Sequence, residues 1–176
     1  EVQTGMGRIG TLFGYQYFGI EPDVMTLAKG MGGGVPIGAI LTKETCNVLR
    51  PGDHGSTFGG NALTSAAAYA VCRSIVEDGI IDNVEPTGNY LKTALLEPLT
   101  LSNVVVKEVR GLGLLLAVQF ADPIAGLVVS SCNDLGLLLN PVRPDTVRFM
   151  PPLNVSYSEI DEALGKFRNA LGIVDS

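Results

Sequence analysis

Over residues 1–61 short apolar runs alternate with glycine-rich turns, and longer apolar stretches follow. Val24–Ala28 and Ile37–Leu41 are each flanked by Gly or Pro and have the length of strands. Ala62 to Glu77, ALTSAAAYAVCRSIVE, contains neither breaker and predicts a buried helix. Asn61 is its expected N-cap and Asp78-Gly79 its end. A second helix is expected from Asn83 to about Leu96, with Pro86 near its first turn, where the missing N–H costs nothing.

Pro98 to Asn103 reads as a connection, after which the texture changes. Val104–Val109 and Leu114–Phe120 are β-rich runs separated by RGLG and predict two paired strands. Ala125 to Leu135 predicts a helix stopped by Gly136, and Val147–Met150 a short strand. Ser156 precedes Glu159 at capping-box spacing and opens a last helix, from about Tyr157 to Leu171. The alternation predicts an α/β architecture, with residues 98–176 forming a smaller α+β domain after the large domain of residues 1–97. There is no internal repeat and no low-complexity tract.

Composition narrows the function. At 46% hydrophobic, the 176 residues can bury a core and are not disordered by composition. The net charge of −6 argues against nucleic acid as a partner, because phosphate backbones need a basic face. Cys46, Cys72 and Cys132 form no CxxC pair, so neither a metal site nor a redox motif is expected; reduced thiols of a cytoplasmic protein fit better. No apolar run reaches the roughly 18 residues a membrane span needs. Glu1-Val2-Gln3 reads like the middle of an element, so a piece of a longer protein is expected.

Several stretches invite chemistry. Gly111-Leu112-Gly113 precedes a strand-like run, not a helix, so it predicts a hairpin turn and no dinucleotide site. His54, the one histidine, lies among turn formers in PGDHGSTFGGN and is either a general base or a loop residue. Ser56 and Thr57 in the same loop suit either a phosphate or an ordinary capped loop. Lys29 stands between the apolar run Val24–Ala28 and a glycine cluster. An apolar setting disfavours the ammonium and frees the amine for carbonyl chemistry. Arg148 sits in an apolar strand, where it is either a ligand for a carboxylate or half of a surface ion pair.

EVQTGMGRIG, GIEPDVMTLAKGMGGGVPIGAIL, PGDHGSTFGGNAL and VRFMPPLNVSYSEIDEAL occur in that order. Together they resemble the class III aminotransferases, fold type I enzymes that use pyridoxal 5'-phosphate. The resemblance covers essentially the whole chain. It implies that residues 1–97 are the C-terminal part of a large domain built on a mostly parallel sheet. It further implies that Lys29 carries the cofactor and moves the proton, that Val2 packs on the cofactor ring and that Gln3 reaches its phenolic oxygen. Ser56 and Thr57 would bind the cofactor phosphate of the neighbouring subunit in a homodimer, and Arg148 would grip the substrate α-carboxylate. The expected reaction moves an amino group from N2-acetyl-L-ornithine to 2-oxoglutarate in arginine biosynthesis. Ornithine, succinylornithine and 4-aminobutyrate are alternative donors, and a non-catalytic module of the same fold is another reading.

The family's aspartate for the pyridinium nitrogen directly precedes the Glu-Val-Gln run and would lie upstream of Glu1. Alone, the stretch is therefore expected to be inactive. Ile9 and Ala62 stand where the family has threonine and proline, both minor departures.

Overall fold

A computed structural model describes residues 1–97 and 103–175. The chain forms two compact units, Glu1–Asp82 and Asn83–Ser176. The expected domains, 1–97 and 98–176, remain our proposal for the longer protein. Apart from Asn103, the connection expected over 98–103 lies outside the described residues.

In the first unit a looped segment, residues 1–13, leads into the short helix α1 (Gly14–Phe18). Strands β1 (Val24–Leu27) and β2 (Ala39–Thr42) pair antiparallel, with Val24 opposite Thr42 and Leu27 opposite Ala39. Both strands fall near their expected places, β2 two residues late. Their pairing is antiparallel, so a parallel neighbour is not among the described pairings. The strand before Lys29 is not buried as expected: only Leu27 is, and Val24 and Thr26 are exposed.

Helix α2 (Ala62–Glu77) has the expected bounds, with the Asn61 side chain accepting from the Thr64 N–H. Its burial differs from expectation. Only Ala68 and Ile75 are buried, while Leu63 is 76% exposed and Tyr69 69%. An alanine-rich run signals an apolar surface, but neighbouring elements decide whether that surface is covered, and the described residues cover little of it.

The second unit is a four-stranded antiparallel sheet with three helices. Its strands are β3 (Val106–Leu112), β4 (Leu115–Phe120), β5 (Asn140–Arg143) and β6 (Thr146–Phe149), in spatial order β3-β4-β6-β5. Side chains alternate across the pleat. Leu116, Val118, Phe120, Val147 and Phe149 are buried in a core shared with α3 (Ile80–Leu96), α4 (Ala125–Asp134) and α5 (Tyr157–Val174). From these helices Leu91, Val128, Ile160 and Phe167 join the core, and the Phe149 and Phe167 rings meet edge to face at 5.1 Å.

Three expectations are corrected here. Pro86 lies inside α3, which starts at Ile80, so the helix interior bears the missing N–H. RGLG does not separate two strands: β3 runs through Arg110-Gly111-Leu112 and the turn is Gly113-Leu114. Strand β5 was not expected, because Pro141 argues against a strand; at the sheet edge its missing N–H is harmless. The capping box of α5 forms as predicted, with the Ser156 hydroxyl accepting from the Glu159 N–H and the Glu159 carboxylate accepting from the Ser156 N–H at 2.8 Å. That contact, with the Ser156 hydroxyl, holds the Glu159 carboxyl below its ordinary range.

Candidate active site

Lys29 lies one residue beyond the end of β1, after Ala28. Ala28 is fully extended (φ −165°, ψ −155°), and at Lys29 the backbone turns left-handed with φ 46°. The chain then makes a 3-10 turn over Lys29–Gly32, closed by the Met31 N–H donating to the Ala28 carbonyl at 3.1 Å. A left-handed non-glycine residue is uncommon and is held there only by its surroundings. A β-carbon on Gly30 would lie 3.6 Å from the Met6 β-carbon, and one on Gly33 would lie 2.7 Å from a Val71 methyl. The looped segment and α2 thus pack against this turn from two directions. The Lys29 side chain is exposed and forms no ion pair among the described residues. The enclosure expected from its apolar neighbours in sequence is not supplied by the described residues.

Val2 and Gln3 lie on the looped segment, both exposed. The segment is anchored by Glu1, which the sequence did not single out. Its carboxylate accepts from the Thr4 hydroxyl at 2.5 Å and from the Gly14 and Tyr15 N–H groups at 2.9 Å each, capping the start of α1. Burial works against the charge, but these hydrogen bonds outweigh it and hold the Glu1 carboxyl below its ordinary range. Gly5 stands so close to the Leu27 side chain that a β-carbon there would lie 3.2 Å from it. Val2 and Gln3 are thereby held on a loop packed at the end of β1, one residue before the Ala28-Lys29 turn.

Ser56 and Thr57 lie in an exposed loop before α2, as does His54. The Ser56 hydroxyl accepts from the Gly59 N–H at 2.9 Å, a local turn of the capped-loop kind. No described contact brings Ser56, Thr57 or His54 to Lys29.

Arg148 is on β6 in the second unit. Its neighbours Val147 and Phe149 point into the core, and Arg148 points to the opposite face of the sheet. Cross-strand pairing sets four residues in one row on that face: Arg110, Ala117, Arg148 and Asn140. The two arginines flank the small Ala117 and are treated differently. Arg110 donates through Nη1 to the Glu108 carboxylate and to Gln119, both at 2.8 Å. Arg148 donates through Nη2 to the Asn140 side-chain oxygen at 2.6 Å, has no carboxylate partner, and keeps a buried Nε with no hydrogen-bond partner among the described residues. Among the described residues Arg148 forms no ion pair. The two-residue turn Pro144-Asp145 between extended runs was the available signal for β5, and with it for Asn140.

The family model described as aminotransferase class-III matches residues 1–171. The chain belongs to the class III aminotransferase family. It is 51% identical over 174 residues to an acetylornithine aminotransferase of Thermosynechococcus vestitus, covering 97% of this chain and 42% of that protein. To the acetylornithine aminotransferase of Caldanaerobacter subterraneus it is 50% identical over 164 residues, with 93% and 42% covered. The chain thus spans 42% of the length of these curated relatives.

Among solved structures, ornithine delta-aminotransferase from Plasmodium falciparum superposes with a TM-score of 0.90 at 36% identity, covering 99% of this chain and 46% of that one. Acetylornithine aminotransferase from Elizabethkingia anophelis gives 0.88 at 30%, covering 97% and 44%. The α/β class expected from the sequence is the one observed.

Proposed function

We propose that the full-length protein is a pyridoxal-phosphate-dependent aminotransferase that converts N2-acetyl-L-ornithine and 2-oxoglutarate to N-acetyl-L-glutamate 5-semialdehyde and L-glutamate, a step of arginine biosynthesis in the cytoplasm. The observation that carries this reading is the pair of curated relatives near half identity over almost the whole chain, both named acetylornithine aminotransferases.

The residues present fit the cofactor. Lys29 offers an amine that forms no ion pair among the described residues, on a turn whose backbone direction is fixed. Val2 and Gln3 ride on a loop packed beside that turn. When bound, the cofactor supplies an electron sink for the carbon losing its proton. Lys29 would hold it, and its amine would take up and return the proton at the reacting carbon. Val2 would pack on the ring and Gln3 would reach its phenolic oxygen. Ser56 and Thr57 hold the phosphate of the neighbouring subunit's cofactor in a homodimer, and Arg148 holds a substrate carboxylate by a two-point contact.

Borohydride reduction of the full-length protein with cofactor, followed by peptide mapping, tests the first role. Label on Lys43 or Lys92 in place of Lys29 would sink it. A donor panel of N2-acetylornithine, succinylornithine, ornithine and 4-aminobutyrate tests the substrate. A higher kcat/KM for ornithine would favour the second reading, which the Plasmodium falciparum neighbour supports. Mixing the inactive variants Lys29→Ala and Thr57→Ala should restore activity if Thr57 acts across the dimer. No recovery, with heterodimers shown to form, would place it in its own subunit's site.

A further inference from the structure

We propose that Glu1 is a positioning residue for the cofactor: its carboxylate ties the turn that carries Val2 and Gln3 to the start of α1, so that both side chains are in place before the cofactor binds. The inference rests on the reading of Val2 and Gln3 as cofactor contacts.

Two hydrogen bonds close the turn on Glu1. The Gly5 N–H donates to the Glu1 carbonyl at 3.0 Å, and the Thr4 hydroxyl donates to the Glu1 carboxylate at 2.5 Å. Val2 and Gln3 are the residues enclosed between these ends. Two more bonds tie the same carboxylate to α1. The Gly14 N–H donates to Oε2 and the Tyr15 N–H to Oε1, each at 2.9 Å. Both oxygens are therefore engaged, and bonds from N–H groups to an ionised acceptor are about twice as strong as neutral ones. One side chain thus joins the two ends of its own turn to a second segment.

The glycines around the carboxylate point the same way. Neither Gly5 nor Gly14 has the left-handed φ that would by itself call for glycine. A β-carbon on Gly14 would lie 3.1 and 3.2 Å from the two carboxylate oxygens and 3.2 Å from the Thr4 β-carbon. The absence of a side chain there lets the carboxylate reach two consecutive N–H groups. A β-carbon on Gly5 would lie 2.8 Å from the Glu1 carbonyl oxygen and 3.2 Å from the Leu27 side chain. The closed turn therefore sits against the end of β1, whose backbone continues to Lys29. Contact groups ordered in advance spare the ligand the cost of ordering them. Without the carboxylate, binding itself would have to order Val2 and Gln3, and the loss would fall on cofactor affinity.

The test is a double-mutant cycle in the full-length protein, comparing Glu1→Ala, Gln3→Ala and the double variant with the parent. The readout is the dissociation constant of pyridoxal phosphate, titrated into cofactor-stripped protein, with thermal melting to show that each variant is folded. Gln3→Ala should weaken the cofactor by about tenfold, as loss of a direct contact. Glu1→Ala should weaken it by about fivefold in the parent but by about twofold or less in the Gln3→Ala background, because most of its effect passes through Gln3. A merely structural carboxylate would cost the same factor in both backgrounds, since a general loss of competent protein does not depend on residue 3. If Glu1→Ala does not fold, Glu1→Gln carries the same cycle: it keeps the shape but turns an amide NH2 toward backbone donors. Equal factors in the two backgrounds would overturn the proposal and leave the reading of Gln3 standing. Unchanged affinity in Gln3→Ala would overturn that reading and the proposal with it.

Discussion

Gly88→Ala and Gly165→Ala are the same substitution in two helices of one unit, and the structure predicts opposite signs. In a helix interior alanine is preferred to glycine by about 0.8–1.0 kcal/mol. In α5 nothing lies within 4 Å of a β-carbon built on Gly165, so that preference should appear as added stability of about 0.5–1 kcal/mol. In α3 a β-carbon on Gly88 would sit 2.3 Å from the Gly113 carbonyl oxygen, 2.5 Å from its carbon and 2.9 Å from its α-carbon. Ordinary carbon contacts lie near 3.5–4.0 Å, so relief needs a shift of about 1 Å. The obstacle is backbone at the turn of the β3–β4 hairpin, and the buried Leu114 and Leu116 tether that turn to the core. Overpacking of this kind costs about 1–3 kcal/mol and occasionally more, which exceeds the helix preference. Gly88→Ala should therefore destabilise by up to about 2 kcal/mol net. Urea unfolding of the full-length protein, followed by a signal from this unit, should show a lower midpoint for Gly88→Ala and a higher one for Gly165→Ala at unchanged slope. A Gly88→Ala protein as stable as its parent would show that the hairpin yields, and that the close approach does not hold helix and turn in place.

Three further outcomes follow from the geometry. Lys29→Gly and Lys29→Ala both remove the amine, but only glycine relieves the left-handed backbone, so the glycine variant should be the more stable by about 1 kcal/mol in urea unfolding, and equal midpoints would argue against strain at Lys29. Burial pushes the Cys132 thiol up to about 11, so iodoacetamide at pH 8 should leave it unmodified until the protein unfolds; labelling in the native state would contradict its place in the core. The Glu159 carboxyl is lowered by its Ser156 contacts, so its contribution is complete above the ordinary glutamate range, near about pH 4.3, and fades as pH falls through the lower folded value. The stability gap between the parent and Glu159→Gln should thus shrink on acidification below about pH 4, whereas a gap constant from pH 7 to pH 3 would exclude the ionised cap as its source.

Local signals were legible wherever a residue type has one structural use. Asn61 before an unbroken apolar run defined α2 to the residue, and the Ser156–Glu159 spacing defined the start of α5. Elements whose reason lies across the fold were not legible. Nothing around Glu1 announces that its carboxylate caps a helix 13 residues away, and α1 was missed with it. Strand β5 exists because β6 offers it an edge, and Pro141 hid it. Burial was the least legible property. The apolar texture of β1 and α2 suggested covered elements, but texture records what a surface is made of, and neighbours decide whether it is covered.

The candidate site divides along the same line. The sequence argument for Lys29 was desolvation by an apolar run, yet within the described residues the lysine is exposed and β1 is open at Val24 and Thr26. What distinguishes it there is backbone. A chain extended through Ala28 reverses at one left-handed residue, and a lysine at that point has its direction set by the turn before any packing of its own side chain. The glycines after it serve that turn in a way composition could not reveal. At Gly33, which is itself left-handed at φ 59°, a β-carbon would strike Val71 of α2 at 2.7 Å, so the absence of a side chain lets the helix close on the turn. Orientation alone does not make an amine reactive, so on our reading the enclosure that frees the Lys29 amine has to come from outside the described residues. A full-length protein in which Lys29 stayed solvent-exposed with cofactor bound, judged by rapid modification of its amine, would be inconsistent with the catalytic role proposed for it.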